Sequence, residues 1–177
     1  GLLGSEYYAV NPVFPLAQTV GGINIDGMPM GGRAKDVVAI GGAKSELDAY
    51  LAMGIKAEKL ALSLEPTPEK GFYYRSDHFN LAKVGVPMLY LKGGDDFEQG
   101  GRAAGEAYAK KWTEQIYHQP SDEFDPAWNW GGAMQILQLY YRIGRSMAMA
   151  SGWPNWVEGD EFRGIRDKQC EAAQVGC

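Results

Sequence analysis

Three short apolar runs limit what this chain can fold into. Val20 to Ile25, Val37 to Ile40 and Val86 to Leu91 are too short for buried helices, and glycine, proline or an acid bounds each of them. Such runs read as strands buried on both faces. Pro87 implies that the third run lacks one ladder bond at its start. Stretches with the helical period lie between and after the runs. Residues 45–59 place Leu47, Tyr50, Leu51 and Ile55 on one side, with Ser45 as the expected N-cap and Gly54 as a weak point. A short helix is expected over 79–83, with Ser76 or Asp77 as its cap. A weakly helical stretch covers 103–116, and the longest helical run covers 130–151. Residues 5–18 read as irregular or as a short helix. Residues 65–71, 93–101 and 117–125 read as loops, and 153–177 is weakly patterned. Strands alternating with helices predict an α/β fold of three layers, α/β/α, on a mostly parallel or mixed sheet. Three or four strands are a thin sheet for 177 residues, so half of a larger sheet is expected.

Charge narrows the function classes. Lys plus Arg is 17 against 22 for Asp plus Glu, a net charge of -5, which lacks the electrostatic footprint of a nucleic-acid binder. No apolar stretch reaches the ~18 residues of a membrane span. No basic segment followed by an apolar one opens the chain, so no signal peptide is visible. The glycine pairs share no fixed period and read as turns. Cys170 and Cys177 lie in the last eight residues, where they either bridge a small tail loop or stay free.

Histidine is the scarce chemical resource: His78 and His118 are the two in the chain. Asp26 stands at the end of the first predicted strand, where α/β sheets gather ligands; a turn aspartate would look the same. His118 lies in a loop with Ser121, Asp122, Glu123 and Asp125. It reads either as a metal ligand with an acidic supporting shell or as a surface histidine. Ser76-Asp77-His78 is not a hydrolase triad, because triads assemble from distant positions. The chain has no G-x-S-x-G elbow, C-x-x-C, H-E-x-x-H or Walker A pattern. A catalytic zinc takes three protein ligands and a structural zinc four. Asp26 and His118 are therefore members of a larger set, if they are ligands.

Four motifs carry a resemblance: Gly1-Leu2-Leu3-Gly4-Ser5, Asn24-Ile25-Asp26, Ser76-Asp77-His78-Phe79 with Gly85-Val86-Pro87, and Tyr117-His118 with Pro120 and Asp122. Each is weak alone; together, in this order, they are specific. Over about residues 1–150 the chain resembles the C-terminal part of the catalytic domain of the co-catalytic zinc aminopeptidases, the aminopeptidase Y and glutamate carboxypeptidase family. The resemblance implies a phosphorylase/hydrolase-like zinc-exopeptidase fold. It places a portion of the catalytic domain at 1–152 and an extension at 153–177. It implies two zinc ions, with Asp26 closing the coordination of one and His118 that of the other. It puts Ser76, Asp77 and His78, with Tyr73 and Tyr74, at the rim of the site, near a peptide substrate. The family also needs a histidine, a bridging aspartate and a Glu-Glu pair that holds the general base, all before the Gly-Leu-Leu-Gly-Ser motif. The expectation is a fragment of a zinc exopeptidase that is inactive alone, binds zinc weakly and self-associates through an exposed sheet edge. A secreted, periplasmic or membrane-associated parent is expected on the same ground. The alternatives are a fragment of a glutaminyl-cyclase-like zinc enzyme and a non-catalytic interaction domain. In the latter, Trp128, Trp130, Trp153, Trp156 and Tyr140-Tyr141 would build an interface, although core and cover residues are the plainer reading of these aromatics.

Overall fold

The computed structural model describes residues 1–42 and 44–176. The helices are α1 (Leu3–Val10), α2 (Leu47–Glu58), α3 (His78–Lys83), α4 (Gly101–Gln115), α5 (Gly131–Met149) and α6 (Arg163–Ala173). The strands are β1 (Gly22–Asn24), β2 (Asp36–Ala39), β3 (Ala61–Ser63) and β4 (Met88–Gly93), in the sheet order β1-β4-β2-β3. β1 runs parallel to β4, with Asn24 opposite Tyr90. β2 runs parallel to β3 and antiparallel to β4. The start of β2 therefore lies at the same sheet edge as the ends of β1 and β4.

The three layers follow from the period of two along β2. Val37 and Ala39 face one side and Val38 and Ile40 the other, and all four are buried. On the first face α2 and α5 cover the sheet, with Leu47, Leu51, Leu139 and Ile143 against Val37, Leu89 and Leu91. On the second face Val38 and Ile40 meet Tyr73, Ala82, Trp156 and Phe162. A Leu, Val or Ile fully buried in this way contributes about 1.5–3 kcal/mol. This is the α/β layering expected from the alternating runs.

Several elements depart from expectation. Gly54 does not weaken α2; a Cβ there would stand 2.8 Å from Leu139 Cδ1, so the glycine permits the close crossing of α2 on α5. Glu46 occupies the N-cap position, while the Ser45 hydroxyl accepts from the Leu47 N–H at 3.3 Å. Neither Ser76 nor Asp77 caps α3 through its side chain. β3 and α6 were not legible. The segment after 152 packs into the body of the molecule: Trp156, fully buried, donates from Nε1 to the Gly85 carbonyl at 2.9 Å. Arg166, also fully buried, donates to the carbonyls of Leu16 at 3.2 Å and Thr19 at 3.0 Å. Cys170 is buried and disulfide-bonded. Cys177 lies outside the described residues. Among the described residues no helix is long and apolar enough to cross a membrane.

Candidate functional site at the sheet edge

Asp26 lies two residues beyond β1, at the edge where β1 and β4 end. The ladder opens there around one side chain. The Tyr140 hydroxyl, reaching from α5, accepts from the Leu91 N–H at 2.9 Å and stands 2.8 Å from the Asn24 carbonyl. A tyrosine thus satisfies backbone groups that would otherwise pair strand to strand. Burial pushes the Tyr140 phenol well above its ordinary pKa, so it stays a neutral hydrogen-bonding group. Past this point the chain is free to carry Asp26 out of the sheet.

The Asp26 carboxylate is held from the α3 side. Its Oδ2 accepts from the Ser76 hydroxyl at 2.6 Å, a short charge-assisted bond. The Ser76 oxygen in turn accepts from Asn24 Nδ2 at 2.8 Å. Asn24 and Ser76 are both buried, whereas Asp26 is exposed. One carboxylate oxygen is thus fixed by a buried relay. The Asn24–Ser76 link was missed at the sequence level. The signal was the spacing of two between Asn24 and Asp26, which places both on one side of extended chain.

The other motif residues separate by burial. His78 is 1% exposed, and among the described residues neither ring nitrogen has a hydrogen-bond partner of good geometry. Its ring lies between Tyr73, at 4.6 Å between centroids, and Tyr90, at 5.0 Å. Burial pushes its pKa down to about 4, with the Tyr73 backbone and the charges of Asp26 and Asp77 pulling the other way. His78 is thus set behind the site rather than on its rim. Tyr73 is buried beside it, and burial pushes that phenol up. Tyr74 is half exposed and points its hydroxyl at Glu161, 3.5 Å away. Asp77 is exposed and accepts from the Ser5 hydroxyl at 2.6 Å. Ser5 also accepts from Asn80 Nδ2 at 2.9 Å. The Gly-Leu-Leu-Gly-Ser and Ser-Asp-His motifs are therefore joined to each other.

His118 stands in the turn after α4. Its φ of 57° is in the left-handed region, sparsely used by residues other than glycine. The ring stacks on Tyr117 at 3.8 Å and 20°. Burial first, then the charges of Asp26, Tyr117 and Glu65, push the Tyr90 phenol up to about 12. Asp26 and the neighbour of His118 thus lie within electrostatic range of one phenol. One carboxylate and one imidazole are donors that zinc accepts. Among the described residues no group of three or more His, Cys, Asp and Glu side chains stands ready for a metal. The donor chemistry fits zinc, and the donor count requires further ligands.

The family model of peptidase family M28 matches residues 1–142. No curated protein matches the chain, and no solved structure does. The match spans the Gly-Leu-Leu-Gly-Ser segment, the Asp26 relay, the Ser-Asp-His turn and the His118 turn, and M28 peptidases are generally zinc-dependent. The chain belongs to peptidase family M28.

Proposed function

We propose that this chain contributes two metal ligands to a zinc-dependent aminopeptidase or related exopeptidase. Asp26 would hold one zinc and His118 a second. The observation that carries this reading is the buried Asn24–Ser76 relay that fixes one oxygen of an exposed carboxylate at the edge where β1 and β4 part. Zinc, when bound, supplies an activated water and polarises the peptide carbonyl. The chain's own residues position and insulate. Ser76 locks the carboxylate rotamer. Asn24 fixes the direction of the Ser76 proton. Tyr90 and His78 stay uncharged near the carboxylate, because burial favours the neutral form of each. Tyr74 and Asp77, both solvent-accessible, are the rim residues placed to meet a peptide.

The remaining ligands and the glutamate base belong to polypeptide outside residues 1–177 in this reading. Alone, the chain then binds zinc weakly and does not turn over substrate. Self-association through the free edges of β1 and β3 is part of the same proposal; Leu62 and Leu64 are exposed along the latter. The test is hydrolysis of amino-acid anilides by the isolated chain with added zinc. No turnover is expected. Turnover at the rate of an intact peptidase would contradict the proposal.

A further inference from the structure

The aromatic residues that stand out in the sequence divide by burial. Trp156 and Tyr140 belong to the two core clusters, whereas Trp130 and Tyr141 remain exposed. Trp130 is the N-cap residue of α5, and its carbonyl accepts from the Met134 N–H at 2.9 Å. The helical register therefore starts at Trp130. Met134, Leu137, Tyr141, Gly144 and Ala148 follow at steps of four, three, four, three and four residues. That is the spacing of an a/d seam. It is a second seam, about a third of a turn round the helix from the core face, which carries Ile136, Leu139, Ile143 and Met147. Trp130, Met134, Leu137 and Tyr141 are between 40% and 69% exposed. A helix with two apolar faces is built to be covered on both.

The seam is graded in size: large at Trp130 and Met134, small at Gly144 and Ala148. This grading selects the occupant. Turned end for end on a second copy, with the twofold axis at Leu139, Trp130 meets Ala148, Met134 meets Gly144, and Leu137 meets Tyr141. Large residues then face small ones and interdigitate. A parallel pair would set Trp130 on Trp130 and Gly144 on Gly144, overfilled at one end and empty at the other. Charge agrees. α5 carries no acid; Arg142 pairs with Glu58 of α2, and Arg145 flanks the seam. In the antiparallel pair the two Arg145 positions stand on the order of 18 Å apart along the axis, beyond the ~8 Å Debye length, and the helix dipoles oppose. The seam and its flanks offer on the order of 600 Å² per copy, since an aromatic side chain buries ~150–250 Å². Two copies reach the ~1,200 Å² lower edge of specific interfaces, which fits a dissociation constant in the micromolar range. We propose that the outer face of α5 is a homodimer interface, in which two chains pair antiparallel along the Trp130–Ala148 seam. The proposal does not rest on the peptidase reading, and it places the contact away from the sheet edges.

Sedimentation equilibrium across the micromolar range tests it, with circular dichroism confirming the fold of each variant. A reversible dimer is expected for the unaltered chain. Leu137→Glu and Tyr141→Glu each put a charge in the seam and should weaken the dimer by at least about tenfold. Ala148→Trp sets indole against indole and should weaken it by a similar factor. Ala148→Trp combined with Trp130→Ala exchanges the large and small partners and should restore it. Leu62→Lys, on the β3 edge, should leave it in place. A monomer throughout the range would overturn the proposal, whatever other protein or surface then covers the seam. So would a dimer indifferent to Leu137→Glu, a failure of the exchanged pair to restore association, or loss of the dimer in Leu62→Lys.

Discussion

The Ser76 hydroxyl has one proton and gives it to Asp26, so its oxygen must be fed by a donor, and the buried Asn24 amide is that donor. Supporting bonds of this kind orient ligating carboxylates and are worth about 10–100-fold in metal affinity. Ser76→Ala is expected to weaken zinc binding at Asp26 by that factor while the circular dichroism spectrum stays unchanged; competition with a zinc-sensitive dye measures it. His78 makes a different prediction. Its pKa falls from the ordinary 6.5 to about 4 on folding, chiefly through burial. Between those values the folded state binds fewer protons than the unfolded chain. The stability is fully present above pH 6.5 and is lost as pH falls towards 4, by on the order of 3 kcal/mol. Melting temperature should fall through this window, and His78→Phe should flatten that fall; an unchanged slope would remove His78 as its source. The Ser-Asp-His string was visible in the sequence, but its split into a carboxylate holder, an α1 anchor and a buried ring was not. Burial depends on which segments cover α3, and no local pattern records that.

At the scale of elements, glycine shows where packing overrules propensity. An Ala for Gly exchange inside a helix ordinarily gains about 0.5–1 kcal/mol. At Gly105 of α4 a Cβ would stand 2.0 Å from the Asp95 carbonyl oxygen, a backbone atom that cannot swing aside. At Gly144 of α5 the nearest atom is Ile23 Cδ1 at 3.5 Å, an ordinary contact. Gly105→Ala should therefore destabilise by about 2 kcal/mol, and Gly144→Ala should stabilise by up to about 1 kcal/mol. Urea midpoints separate the two. The strands β1, β2 and β4 and the helix α5 were legible because each carries an apolar face or run. β3 was not, since two of its three residues are exposed. Nor was α6, whose buried residues are Arg166 and Cys170 rather than an apolar stripe.

The whole molecule is closed by its C-terminal segment. Arg166 reaches from α6 to carbonyls at 16 and 19, and its charge is set over the Trp153 ring at 5.9 Å. Arg166→Leu would leave those carbonyls without their donor, at a cost of at least about 2 kcal/mol. Arg166→Lys should not restore it, since a lysine has no planar fork. Denaturant unfolding measures both, and full stability in the leucine variant would show that the closure contributes nothing. The same C-terminal segment holds the turn after α3, where Trp156 Nε1 donates to the Gly85 carbonyl at 2.9 Å and Gln169 Nε2 to the Val84 carbonyl at 2.6 Å.

The central claim is that Asp26 and His118 each hold one metal ion. Its most direct test is the zinc content of a polypeptide that carries this sequence together with the remaining ligands, compared with its Asp26→Ala and His118→Ala variants. The account predicts two zinc ions per chain in the parent and one in each variant. Two ions retained in either variant, or none in the parent, would contradict it.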